Sequence, residues 1–161
     1  MQSLDIESFA IHVGVPRAEV RRSIARAEAR RFHVFRLEIE DMQSNDELDV
    51  YLSQTFHYPW RTRGLNAAVD MLSDLDWLGP ANGYLFVSAG FGSDEIATSL
   101  GWVVPSVVDR WRSGEAPCVF IFESRSDAFE KEAAQTNAHL EEASHLPWVA
   151  PGTGPVPICR Y

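Results

Sequence analysis

Two short runs, Tyr84-Leu-Phe-Val87 and Cys118-Val-Phe-Ile-Phe122, are apolar without interruption, and they constrain the fold more than any other feature. Runs of this length suit strands rather than helices, and unbroken apolarity means a strand buried on both faces. A third strand is expected at His33–Glu40 with a different pattern. There Phe35, Leu37 and Ile39 alternate with Arg36, Glu38 and Glu40, so one face is buried and the other polar.

Helical signals fill the intervals. Ser44-Asn-Asp-Glu47 is a capping box, and Leu48, Tyr51, Leu52 and Phe56 share one side of the helix it opens. Pro59 ends the approach to a second helix over about 64–76, and Gly79-Pro80 breaks the chain after it. Ser93 suits the cap of a helix through about Leu100, and Pro105 the first turn of another reaching about Arg112. Residues 126–144 form a polar helix with Phe129, Ala133 and Leu140 as a thin apolar side. Residues 3–31 read as two helical pieces separated by Val13-Gly-Val-Pro16, and 147–157 as a Pro/Gly-rich extended tail. Strand, helices, strand, helices, strand predicts an α/β protein with parallel pairing. The expected division is an N-terminal helical extension (1–32), an α/β domain (33–124), and a C-terminal helix with tail (125–161).

A chain of 161 residues supports one well-buried core, and 45% hydrophobic residues with five Trp and nine Phe mark it as globular. No apolar run approaches the roughly 18–20 residues of a membrane span, and Met-Gln-Ser-Leu-Asp-Ile-Glu does not resemble a secretion signal. A cytoplasmic protein is expected. Cys118 and Cys159 match no metal or redox spacing, and His12, His33, His57, His139 and His145 are dispersed, so no cofactor or metal is implied. The net charge of −9 is unevenly spread: residues 1–31 hold six Arg against four acids (+2), and the remainder 8 basic against 19 acidic groups (−11). Such a body repels nucleic acid and attracts cationic proteins.

Tyr58-Pro-Trp-Arg-Thr-Arg-Gly64 runs directly into the helix Leu65-Asn-Ala-Ala-Val-Asp-Met-Leu. Leu65, Val69 and Leu72 fall within about 60° of one another on a helical wheel, flanked by Ala68 and Leu75. Asn66, Asp70 and Asp74 recur every four residues on the opposite side. An acidic stripe beside a Trp-bearing loop is suited to meeting a basic protein. With no His near in sequence and no sign of burial to split their pKa values, Asp70 and Asp74 do not read as a general acid and base, and a non-enzyme is expected.

Across residues 33–122 the order of elements, the Pro-aromatic turn, Gly64-Leu-Asn66, the short helix ending Asp-x-Leu and the strand opening on Cys118 resemble the barstar family of ribonuclease inhibitors. The resemblance implies a three-stranded parallel sheet covered by helices. It also implies a loop and helix that plug the basic active site of a ribonuclease or nuclease-type toxin, as an immunity protein or antitoxin does. On that basis Asp70 matches the carboxylate that occupies the nuclease's phosphate site. Asn66 stands where the family has a first carboxylate, and Val69 where it has an aromatic. Trp60 or Arg61 takes the place of the loop aromatic, Gly64 shapes the loop, and Asp74 forms an electrostatic rim. Arg112 lies where the family has an acid and would repel a basic partner.

A second reading attaches to residues 6–31. Ala10, Gly14, Val20 and Ile24 fall near helix-turn-helix spacing, with Arg17, Arg21 and Arg22 placed for phosphate, which predicts a DNA-binding antitoxin or regulator. Gly90-Phe-Gly-Ser-Asp-Glu95 resembles a phosphate loop, but its own acids would sit at the helix N-terminus, so a capped turn is expected.

Overall fold

The computed structural model describes residues 3–149 and 154–161. Five strands form one wholly parallel sheet: β1 (Phe9–Val13), β2 (His33–Leu37), β3 (Tyr84–Ser88), β4 (Cys118–Phe122) and β5 (Ile158–Arg160), in the order β2-β3-β4-β1-β5. The helices are α1 (Arg17–Ala29), α2 (Asn45–Thr55), α3 (Leu65–Leu72), α4 (Asp94–Trp111) and α5 (Asp127–Ser144). The chain is therefore α/β with a parallel sheet, of five strands where three were expected.

The two added strands come from the terminal segments. Phe9-Ala-Ile-His-Val13 was expected to be helical, yet it is a strand between β4 and β5, with its last four residues buried. A strand buried on both faces has the same continuous apolarity as a buried helical piece, so periodicity does not separate them. The helix-turn-helix expectation is corrected with it, because the first of its two helices does not exist. At the other end, β5 pairs in register with β1. The portion of the expected tail at 150–153 lies outside the described residues.

Alternate positions along the inner strands serve opposite layers. Leu85, Val87, Val119 and Ile121 pack with Val20, Ala27, Leu4 and Ile6 beneath α1. Phe86, Phe120, Phe122 and Ile11 pack with residues of α2, α3, α4 and α5 on the other face. A stack of aromatic rings runs through this second layer, with Phe86 and Phe120 at 4.3 Å and Phe91 and Phe122 at 4.2 Å between centroids.

Pro105 does not begin a new helix; it lies inside the continuous α4. Its ring removes the N–H that would bond to Gly101 four residues back, a local cost offset by the packing of α4, whose buried residues include both Gly101 and Pro105. Gly101 also lets α5 approach closely: a Cβ there would lie 2.8 Å from the Phe129 carbonyl oxygen. Two other elements are shorter than expected, β2 ending at Leu37 rather than Glu40 and α3 at Leu72 rather than about 76. Ser44, Ser93 and Ser126 each accept a backbone N–H at the start of α2, α4 and α5, and the glycine loop at 90–95 is the capped turn rather than a phosphate cradle. Among the described residues no helix is long and apolar enough to cross a membrane.

Candidate interaction site

The loop 57–64 and α3 form one continuous feature on the side of the sheet covered by α2 and α4. Its lower boundary is set by apolar packing, since Leu65, Ala68, Val69, Met71 and Leu72 are all buried. Gly64 caps the helix at φ +88°, a backbone conformation that glycine adopts at little cost. Its N–H donates to Asp49 Oδ2 of α2 at 2.9 Å, which pins the loop to a neighbouring helix. Trp77 Nε1 donates to the Phe56 carbonyl at 2.8 Å and fixes the other end.

What remains outward is polar with one large exception. Asn66 and Asp70 are exposed on α3, Arg61, Arg63 and Gly64 are exposed on the loop, and the Trp60 indole is 61% exposed. Two expectations about the stripe are corrected. Val69 is only 5% exposed and belongs to the core, so it presents no surface where the family resemblance places an aromatic. Asp74 is exposed but lies past the end of α3: Ser73 closes the helix, donating from Oγ to the Val69 carbonyl at 2.5 Å. Leu75 then turns through the left-handed region at φ +59° to bury its side chain, and a separate single 3-10 turn, Asp76–Leu78, follows in place of a continued α3. Asp74 accepts the Asp76 N–H at 3.3 Å, and its charge raises the Asp76 pKa.

Asp70 is not a free carboxylate. Arg110 of α4 donates to it, with both side chains more than half exposed. Arg112 plays no part on this face, which corrects its expected repulsion of a partner. It is largely buried, donates from Nη1 to the Gly154 carbonyl at 3.1 Å and from Nη2 to the Pro155 carbonyl, and so holds the C-terminal segment to α4. Asp49, Arg110 and Trp77 had no signal in local sequence, because each reaches the site from a different element.

The arginines of the DNA-binding reading remain exposed on α1, with Arg17 lying 3.6 Å from Glu123 and Arg22 2.7 Å from Glu19. Glu19 itself is 2% exposed. Burial alone would raise its pKa, but the Leu4 N–H and the guanidinium groups of Arg22 and Arg26 hold it below the usual carboxylate range. Open α/β sheets admit ligands where neighbouring strands send their connections to opposite faces. Here that place, between β1 and β4, is bridged by Gly14 N–H to the Ser124 carbonyl (3.0 Å) and Val15 N–H to the Phe122 carbonyl (3.1 Å).

These features define an α/β protein with an exposed, Trp-bearing polar surface at the loop and α3. Comparison with family models, with curated proteins and with solved structures finds no match.

Proposed function

We propose that this protein binds and blocks a basic ribonuclease or related nuclease toxin through the loop at 58–64 and the outer face of α3, as an immunity protein or antitoxin of the kind the barstar resemblance implies. The observation that carries this reading is the exposure of Trp60 on a loop anchored by Asp49 that leads directly into α3, where Asn66 and Asp70 are exposed. An indole held out in water offers a large apolar contact to a partner, and Trp is among the residues that most often dominate interface energies.

Charge supports the same partner. The region after residue 31 carries −11, which attracts a cationic protein and speeds its encounter. On contact, a guanidinium or ammonium group of the nuclease would compete with Arg110 for Asp70. The existing pair opposes that exchange little, because it is solvent-exposed and worth about 0–1 kcal/mol. Asp74, set beyond the helix, lends long-range attraction rather than a directed contact.

The test is a pull-down with wild-type bait compared with Asp70→Ala bait, followed by a ribonuclease assay on the captured protein. The expected result is capture and inhibition of a basic nuclease, weakened by at least about 2 kcal/mol, or roughly 30-fold, in the variant. Equal capture by both baits would remove Asp70 from the interface.

A further inference from the structure

We infer that the open groove lined by Tyr58, Pro59, Trp60, Arg61, Thr62, Arg63 and Ser53 binds a phosphorylated aromatic small molecule of nucleotide size, with its phosphate between Arg61 and Arg63 and its ring on Trp60. This goes beyond the inhibitor reading and requires no protein partner.

Three observations converge on it. First, the groove measures about 680 Å³, within the roughly 300–1,000 Å³ of small-molecule sites. Second, the region from residue 32 onward has only eight basic residues, and two of them line this one groove. Among the described residues neither Arg61 nor Arg63 has a carboxylate within ion-pair distance, whereas Arg110, Arg112, Arg125 and Arg160 all do. Guanidinium groups left without an internal partner at a concave surface are suited to bidentate recognition of an oxyanion.

Third, the Tyr58 hydroxyl and Thr62 Oγ1 are shut off from solvent without a hydrogen-bond partner. Each unmade bond costs free energy that is recovered when binding of an oxyanion turns the hydroxyl outward to meet it. Ser53 is not such a group, since its Oγ already donates to the Val50 carbonyl at 2.9 Å. One nearby charge opposes the anion: Asp49, which binds the Gly64 N–H. Burial, and then the Asp49 charge, push the Tyr58 hydroxyl pKa up, so this group remains a protonated donor. The remaining requirement is a platform, and the exposed Trp60 indole supplies one for a planar ring.

Tryptophan fluorescence and calorimetry on the purified protein, titrated with adenosine 5′-monophosphate, adenosine and inorganic phosphate in parallel, test the inference. The nucleotide should bind saturably, and adenosine and phosphate should each bind at least about tenfold more weakly, because each lacks one half of the recognition. The double variant Arg61→Ala/Arg63→Ala should lose the nucleotide while keeping its thermal midpoint. Tyr58→Phe should weaken binding without lowering stability, since it removes an unpaired hydroxyl. Absence of saturation at millimolar nucleotide, affinity unchanged in the double variant, or phosphate binding as tightly as the nucleotide would each overturn the assignment. Trp60 and the loop are shared with the proposed nuclease surface, so these outcomes test the groove, and the Asp70→Ala comparison separately tests α3.

Discussion

Arg110 on α4 donates to Asp70 on α3, so the carboxylate at the centre of the exposed face is neutralised by the protein's own guanidinium until something displaces it. Arg110→Ala should therefore leave stability within about 1 kcal/mol of wild type, as expected for an exposed pair. The same change should strengthen capture of a cationic partner at low salt. Urea denaturation and a pull-down in low and high salt check the two halves; a stability loss well above that figure would mean the pair is structural.

Glu19 is the reverse case, a buried acid that accepts from the Leu4 N–H at 3.0 Å and from Arg22 Nη2 at 2.7 Å. Glu19→Ala should cost about 2–3 kcal/mol, since it strands the Leu4 N–H and removes the anchor of two half-exposed arginines. Glu19→Gln, which keeps an acceptor, should cost less. Denaturant midpoints of the two variants give the comparison.

His12 lies 6% exposed in β1 with neither ring nitrogen hydrogen-bonded. Burial lowers its pKa from 6.5, against a weaker opposing pull from Asp5. As pH falls below 6.5, the unfolded chain takes up a proton that the folded chain refuses, so stability is full above 6.5 and declines below it. Thermal midpoints measured across this interval should fall with acid in wild type and fall less in His12→Phe.

Gly101→Ala tests the contact between α4 and α5. Alanine would favour the helix by about 1 kcal/mol on propensity, but its Cβ would lie 2.6 Å from Glu132 Cβ and 2.8 Å from the Phe129 carbonyl oxygen. Overpacking of this kind costs about 1–3 kcal/mol, so the substitution should lower the thermal midpoint. A raised midpoint would show that α5 can move away freely.

Much of the architecture was legible where local chemistry was decisive. The capping box at Ser44, the apolar side of α2 and the strand Cys118–Phe122 were read from residues whose signals are short-range, and each is where it was expected. The apolar face of α3 was legible for the same reason, and so was the outward position of Asn66 and Asp70. Illegible elements were those whose meaning depends on distant neighbours. Phe9–Val13 becomes a strand because β4 and β5 flank it, and Pro105 lies within α4 where it is buried with the helix's apolar side.

The candidate site divides in the same way. Its loop residues and its two α3 side chains follow from the turn at Tyr58–Gly64 and the 3.6-residue period that comes after it. The pairing of Asp70 with Arg110, the tether from Asp49 and the loss of Asp74 from the helix do not.

The residues alone determined an α/β chain of parallel strands and an amphipathic segment with its acids turned to water, because periodicity and capping act over a few positions. Only the tertiary structure decided how many strands the sheet has, which arginine meets Asp70, and that Val69 is core rather than contact. Those outcomes depend on which surfaces meet when apolar area is buried, and sequence separations such as the 40 residues between Asp70 and Arg110 leave no local trace of the meeting.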